Sequence, residues 1–199
     1  MDIDRRWIDD FPEDVLLEAS KLVNTTSIKD EGIERLDLTM LNTYTIDDEG
    51  TIDNDDAISI QKFTVKDIIW IHIADPSTYI KHNSLIDLEA RKRSSSIYLA
   101  NSVIPMMPKS IVSEFLSLRQ GKVSPAISIG VVINDEGAII KSEIRRSIIK
   151  TKYNLTYEEA NELIELAPLG DKDLSYIEAI LKKRLGWRKR NGATIFIKK

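Results

Sequence analysis

The sequence predicts an α+β fold, with a mixed, largely antiparallel sheet and helices packed on one side. Three observations predict it. The apolar runs "AISIQKF" (57–63) and "IIWIHIA" (68–74) are separated only by "TVKD", the spacing of a hairpin. A second strand–turn–strand unit is written in "SPAISIGVVINDEGAIIKSEIRRSIIKTKY", with its turn at "NDEG". Helical patterns stand on both sides of these strands.

The first helix is "DFPEDVLLEASKLVN". Asp10 suits the N-cap, Pro12 the first turn, and Glu13 and Asp14 favour the positive end of the helix dipole. Val15, Leu16, Ala19, Leu22 and Val23 form its expected apolar stripe. The run "IIWIHIA" is close to continuously apolar, so it predicts a strand buried on both faces. "SLIDLEARKRSSSIYL" starts a helix at Ser84 and leads into a basic turn, and "VIPMMPKSI" is extended and broken by proline. "LTYEEANELIELA" carries a capping box, Thr156 with Glu159 three residues on. "LSYIEAILKKRLGWRKRNG" is a longer helix ending at Gly192, and "ATIFIKK" begins another strand.

The 199 residues suffice for one core, and the reading finds no interdomain linker, repeat or low-complexity segment. No apolar run is long enough to span a bilayer, and the acidic N-terminal stretch has no apolar signal region. The absence of cysteine excludes disulfides, thiol catalysis and Cys-based zinc sites, and suits a cytoplasmic protein. Charge is uneven. Residues 1–60 hold 17 Asp/Glu against 5 Lys/Arg, whereas 61–199 hold 15 against 23. That asymmetry fits an acidic metal site beside a basic substrate track.

The acidic excess peaks in "TIDDEGTIDNDDAIS", where Asp47, Asp48, Glu49, Asp53, Asp55 and Asp56 fall within ten residues. Such crowding costs little only on a solvated loop or around a cation. Gly50 and the short polar spacers let the loop turn several carboxylates toward one point, and hard cations such as Mg²⁺ take oxygen ligands. An EF-hand is excluded, because a loop started at Asp47 puts Ile52 where glycine is needed and Ile58 where glutamate is needed. "DNDD" also matches the acid motif of class II terpene cyclases, but an aromatic content of 7% and a motif that opens a strand argue against them.

Read in order, "DLTMLNTYTIDDEGTIDNDDAIS", "IHIADPSTYI", "IDLEARKRSSSIYL", "IPMMP" and "SEFLSLR" resemble the catalytic RNB domain of the ribonuclease II family. "FPEDVLLEA" upstream and "RKRNGATIF" downstream fit the same pattern, so the resemblance runs from about Phe11 to Phe196. It implies a single RNB-type catalytic domain over residues 1–199. The implied activity is Mg²⁺-dependent, hydrolytic, processive 3′→5′ degradation of single-stranded RNA to nucleoside 5′-monophosphates. It implies that Asp47, Asp53, Asp55 and Asp56 line the metal site, the last two nearest the metal and the scissile phosphate. It places base-stacking aromatics at Tyr98, Tyr157 and Phe196.

Basic residues are the natural phosphate holders: Arg91, Lys92 and Arg93, and on the last helix Lys182, Lys183, Arg184, Arg188, Lys189 and Arg190. The spacing of the second group spreads it round the helix, which favours a solvated face. His72, in mid-strand, reads as a hydrogen-bonded core residue, and Asp75 as a carboxylate supporting the metal site.

Asn54 departs from the pattern, since the family usually has an apolar residue there. The resemblance covers the first half of the RNB domain. The second half, with a phosphate-holding arginine and a catalytic glutamate, and the flanking OB-type domains have no counterpart in 1–199. The expectation is therefore an incomplete sheet and one of two functions. The chain is an exoribonuclease or a portion of one, or it is an inactive RNA- or metal-binding module that needs a second chain to supply the missing half.

Overall fold

A computed structural model describes residues 11–25, 34–51, 53–99, 103–168 and 171–194. Their contacts gather into two compact units. One draws on Met1–Glu34 and Ala74–Ser117, the other on Arg35–Ile73 and Leu118–Lys199.

Among the described residues the first unit holds α-helices α1 (Glu13–Thr25), α2 (Leu85–Arg93) and α3 (Lys109–Ile111), the last widening into a π-helical turn over Val112–Leu116, and a short 3-10 turn at Pro76–Thr78. Strands β5 (Ile97–Tyr98) and β6 (Val103–Ile104) pair antiparallel. The expected start of α1 is visible at Pro12, whose carbonyl accepts from Leu16 N–H; Asp10 lies outside the described residues. Val15 and Ala19 enter a core with Tyr79, Ile86, Ile111 and Phe115, where the Tyr79 and Phe115 rings stack at 4.3 Å. Leu16, expected on the same stripe, is 46% exposed. One residue advances a helix by about 100°, so a stripe centred on Val15 and Ala19 turns Leu16 out. Helix α2 starts where expected: Ser84 Oγ accepts from Asp87 N–H.

The second unit is built on one sheet of six strands: β1 (Leu36–Asp37), β2 (Thr43–Asp47), β3 (Asp56–Gln61), β4 (Ile68–Ala74), β7 (Val123–Ile133) and β8 (Ile139–Thr156). The order is β1-β8-β2-β3-β4-β7, and β7 also pairs with β8, so five strands form a closed circuit. The sheet is mixed as expected. β2–β3, β3–β4 and β7–β8 are antiparallel, while β8 runs parallel to β1 and β2. Helices α4 (Tyr157–Leu166) and α5 (Asp173–Arg190) cover its outer face. Ala160 and Leu174 pack with Tyr44, and Ile177 packs with Ile60, Ile69 and Val131. The Thr156–Glu159 capping box opens α4, and Gly192 follows α5 at φ +84°. The predicted strand in "ATIFIKK" falls largely outside the described residues.

The inner face of the circuit carries a run of small polar side chains beside Trp70 and Ile149. Thr43, Thr45, Ser59, His72, Ser128, Ser147 and Thr151 are all fully buried. His72 Nε2 lies 2.9 Å from Ser59 Oγ, and its Nδ1 lies 2.6 Å from Ser128 Oγ. Ser128 Oγ is 2.5 Å from Ser147 Oγ, which donates in turn to the Ala126 carbonyl. The expected core role of His72 is thus what the fold gives it. Strand β4 differs from expectation: Ile71 and Ile73 are 36% and 40% exposed. Trp70 and His72 point into the circuit, so the isoleucines take the outer face, where α5 covers Ile69 alone among them.

The β7–β8 turn is fastened to α5. Gly137 sits at φ +92°, and a Cβ there would lie 2.2 Å from the Lys183 carbonyl oxygen. Arg184 donates to the Gly137 carbonyl and Arg190 to that of Glu136. Gly137→Ala is therefore expected to lower stability by at least about 2 kcal/mol, combining left-handed strain with overpacking. A urea unfolding midpoint unchanged from the parent would refute the close seating of α5.

Burial lowers the pKa of His72 from 6.5 to about 4. The folded state therefore binds the proton more weakly than the unfolded state. The stabilisation is complete above pH 6.5 and is lost as pH falls from there toward pH 4. The loss is on the order of 3 kcal/mol. Urea titrations at neutral and acidic pH should show it, and His72→Gln should flatten that part of the profile.

Candidate active site

The acidic loop joins β2 to β3. Its turn closes with Thr51 N–H donating to the Asp48 carbonyl at 3.1 Å, and Gly50 adopts φ +82°. Asp47 is the last residue of β2, on the face shared with Thr43 and Thr45, so strand alternation points it to the inner side. Asp53 is half-buried, Asp55 is exposed, and Asp56, also exposed, is the first residue of β3.

These carboxylates act on one another. The Asp47 carboxyl is held above the usual carboxylate range, first by burial and then by the charges of Asp56, Asp55, Asp53 and Asp48. Its Oδ2 is buried without a hydrogen-bond donor. Asp55 is raised too, by partial burial and by Asp56 and Asp53, against a lowering by its own backbone N–H. An all-oxygen donor set with an orphaned buried carboxylate oxygen fits a hard divalent cation chemically. Among the described residues, however, no three Asp, Glu or His side chains converge closely enough to hold one. The loop brings the four aspartates into one electrostatic neighbourhood without gathering them on a common point.

Strand register adds Tyr157 to this neighbourhood. Asp47 pairs with Thr156, and Tyr157 follows it at the start of α4, 54% exposed. Tyr98 lies on β5 of the other unit, 66% exposed, and Phe196 lies outside the described residues. Arg93 is enclosed at 4% exposure. Its Nε donates to Glu89 at 2.9 Å, its Nη1 to the Pro105 carbonyl at 3.4 Å, and its guanidinium lies 3.8 Å from the Phe11 ring centre. The expectation that Arg93 holds RNA phosphate therefore meets a side chain already spent inside its own unit. Arg91 and Lys92 pair with Asp87 and Glu89 along α2. Asp75 accepts from the Ser77 and Thr78 hydroxyls. On α5, Lys182 pairs with Glu178 and Lys183 with Asp135.

Leu118, Asn154 and Thr45, none of them a site candidate in the sequence, hold the loop. Leu118 N–H donates to the Asn54 carbonyl at 2.8 Å, and Asn154 Nδ2 donates to the Leu118 carbonyl at 3.4 Å. Asn54 Nδ2 reaches Thr45 Oγ1 at 3.4 Å. The one visible signal was Asn54 itself, a polar residue before an apolar strand.

The sequence profile of the RNB domain matches residues 35–199. The chain belongs to the RNB family. It is 43% identical over 163 residues to an uncharacterized ribonuclease of Synechocystis sp., covering 80% of this chain and 24% of that protein. It is 36% identical over 183 residues to the chloroplastic/mitochondrial ribonuclease II of Arabidopsis thaliana, 90% of this chain and 22% of that one. It is 40% identical over 174 residues to the ribonuclease R of Mycoplasmopsis pulmonis, 85% of this chain and 24% of the other. The RNB chain thus spans about a quarter of the length of these relatives. Among solved structures, Mycoplasma genitalium RNase R in complex with double-stranded RNA shares its fold at TM-score 0.77 and 22% identity, over 92% of this chain and 37% of that one. Yeast Ssd1, a pseudonuclease, shares it at TM-score 0.71 and 23% identity, over 84% of this chain and 21% of the other.

A raised carboxylate pKa opposes folding at neutral pH, and the cost vanishes as pH falls below the unfolded value near 4. Asp47→Asn is accordingly expected to raise the metal-free Tm at pH 7, and to raise it progressively less as pH falls through and below about 4. Thermal scans in chelator test this. An equal shift at every pH would mean that charge is not the cause.

Proposed function

We propose that this RNB chain carries the acidic part of a Mg²⁺-dependent 3′→5′ exoribonuclease site, which hydrolyses single-stranded RNA to nucleoside 5′-monophosphates. The observation that carries the reading is the acidic loop: four aspartates, a raised and orphaned Asp47 carboxylate, and Tyr157 set beside it by register. Asp47, Asp53, Asp55 and Asp56 are the residues that would hold the ion. When bound, Mg²⁺ supplies an activated water and charge neutralisation at the scissile phosphate. The chain's own part is to hold the carboxylates at the mouth of the circuit and to offer the exposed ring of Tyr157 to a base. Stacking of this kind tolerates any base, as degradation without sequence preference requires. Tyr98 and Phe196 are proposed for the same stacking role. Arg93 is left a supporting one, bracing the segment between Glu89 and Pro105. The whole chain is read as one RNB-type catalytic region acting in the cytoplasm; no described helix is long and apolar enough to cross a membrane.

The second reading is a module that binds RNA or metal without turnover, or one completed by further chain or a second chain. The failure of three ligands to converge among the described residues favours it. A positive group facing the phosphate is commonly worth orders of magnitude in rate, so its supply from outside residues 1–199 would decide activity.

Incubation of 5′-labelled single-stranded RNA with the folded chain and Mg²⁺ separates the two. Stepwise shortening that falls at least about 100-fold in Asp55→Asn is expected for the nuclease. Tyr157→Ala should weaken RNA binding by about 1–3 kcal/mol. RNA binding without shortening at excess protein would establish the binding module instead.

A further inference from the structure

We infer that Asn154, acting through Leu118 and Asn54, is a latch that fixes the backbone of the acidic loop, and so sets the cation affinity of its aspartates. The inference rests on the metal reading above and names the residues that position its ligands.

The latch begins with a bulge. Thr43 pairs with Thr151 and Tyr44 with Tyr153, so β8 spends one extra residue there against β2. A one-residue slip exchanges the faces of a strand. Beyond it, Tyr153 stacks outward on Tyr44, with ring centres 5.3 Å apart, and Asn154 falls opposite Thr45 on the inner face. Asn154 Nδ2 then reaches the carbonyl of Leu118, a residue with no exposed surface. The same peptide unit's neighbour, Leu118 N–H, grips the Asn54 carbonyl at 2.8 Å. Asn54 sits between Asp53 and Asp55, and its amide leans on Thr45 Oγ1. The loop is thereby tied at its acidic centre to two walls, β2 and the lead-in to β7.

The Oδ1 atoms of Asn54 and Asn154, like Asp47 Oδ2, are buried without donors. Three orphaned oxygens around one short loop keep the neighbourhood negative even where it carries no formal charge. Such an arrangement rewards a cation that supplies the missing partner; without one, the orphaned oxygens favour loosening, and the contacts of Asn154 and Leu118 oppose it. Partners that orient ligand-bearing groups are typically worth 10–100-fold in metal affinity.

The test uses the full chain and two readouts. Amide hydrogen exchange in metal-free buffer should show Leu118 N–H protected in the parent. In Asn154→Leu, which keeps the volume and removes the donor, it should exchange at least about 10-fold faster. Titration with Mn²⁺, followed by the electron paramagnetic resonance of the free ion, should give an affinity about 10–100-fold weaker in Asn154→Leu, with Asn154→Gln recovering part of it. If Asn154→Leu does not fold, Asn154→Ala, which removes the donor without adding charge, takes its place in both readouts. Unchanged Leu118 exchange together with unchanged Mn²⁺ affinity overturns the latch. A parent that binds no Mn²⁺ overturns the metal reading and, with it, the link to affinity, while the exchange readout still decides whether Asn154 holds the loop. Faster exchange with undiminished Mn²⁺ affinity overturns the claim that the latch sets affinity.

Discussion

The second unit depends on the hydrogen-bonded run from Ser59 through His72 and Ser128 to Ser147. A circuit of five strands has a narrow interior, and here hydroxyls and one imidazole share it with Trp70 and Ile149. Each of these groups is costly to bury alone and cheap to bury paired. The run crosses β3, β4, β7 and β8, so it fixes their relative heights. A neutral imidazole offers one donor and one acceptor, which matches the two serine hydroxyls at its nitrogens.

With heights fixed, the outer face is free to be apolar, and α4 and α5 seat on it. The tight approach of α5 to Gly137, and of the Trp70 ring to Gly130, leaves no room for side chains at either glycine. The fold therefore separates two tasks. Helices on the outside provide hydrophobic stabilisation, and the inner face provides a directional polar frame that ends at Asp47.

The acidic loop is where this order is opposed. Mutual repulsion and partial burial raise Asp47 and Asp55, so the loop carries an energetic cost in the metal-free state. Backbone contacts to Leu118 and the Asn154 amide hold the loop against that cost. On the proposed metal reading, a bound divalent cation would turn the same repulsion into attraction.

Much of this was legible in sequence. The two hairpins, the Ser84 start of α2, the capping box at Thr156 and the glycine after α5 follow from local propensity and period, which short segments carry by themselves. The acidic loop and the RNB family were legible because crowded like charges and an ordered set of motifs are visible without coordinates. Other features were not. Leu16 and Ile71 look like core, and only the neighbours available to each face decided that they are exposed. Arg93 looks like a surface cation, but Glu89, the Pro105 carbonyl and the Phe11 ring enclose it. The β8 bulge, which turns Asn154 inward, leaves no trace in composition. The sequence by itself determined the strand and helix periods and where charge gathers, because both are local properties of the chain. Tertiary structure decided the closed circuit, the pairing of His72 with hydroxyls 13 and 56 residues away, and the latch on the acidic loop, because each depends on which distant backbone lies opposite.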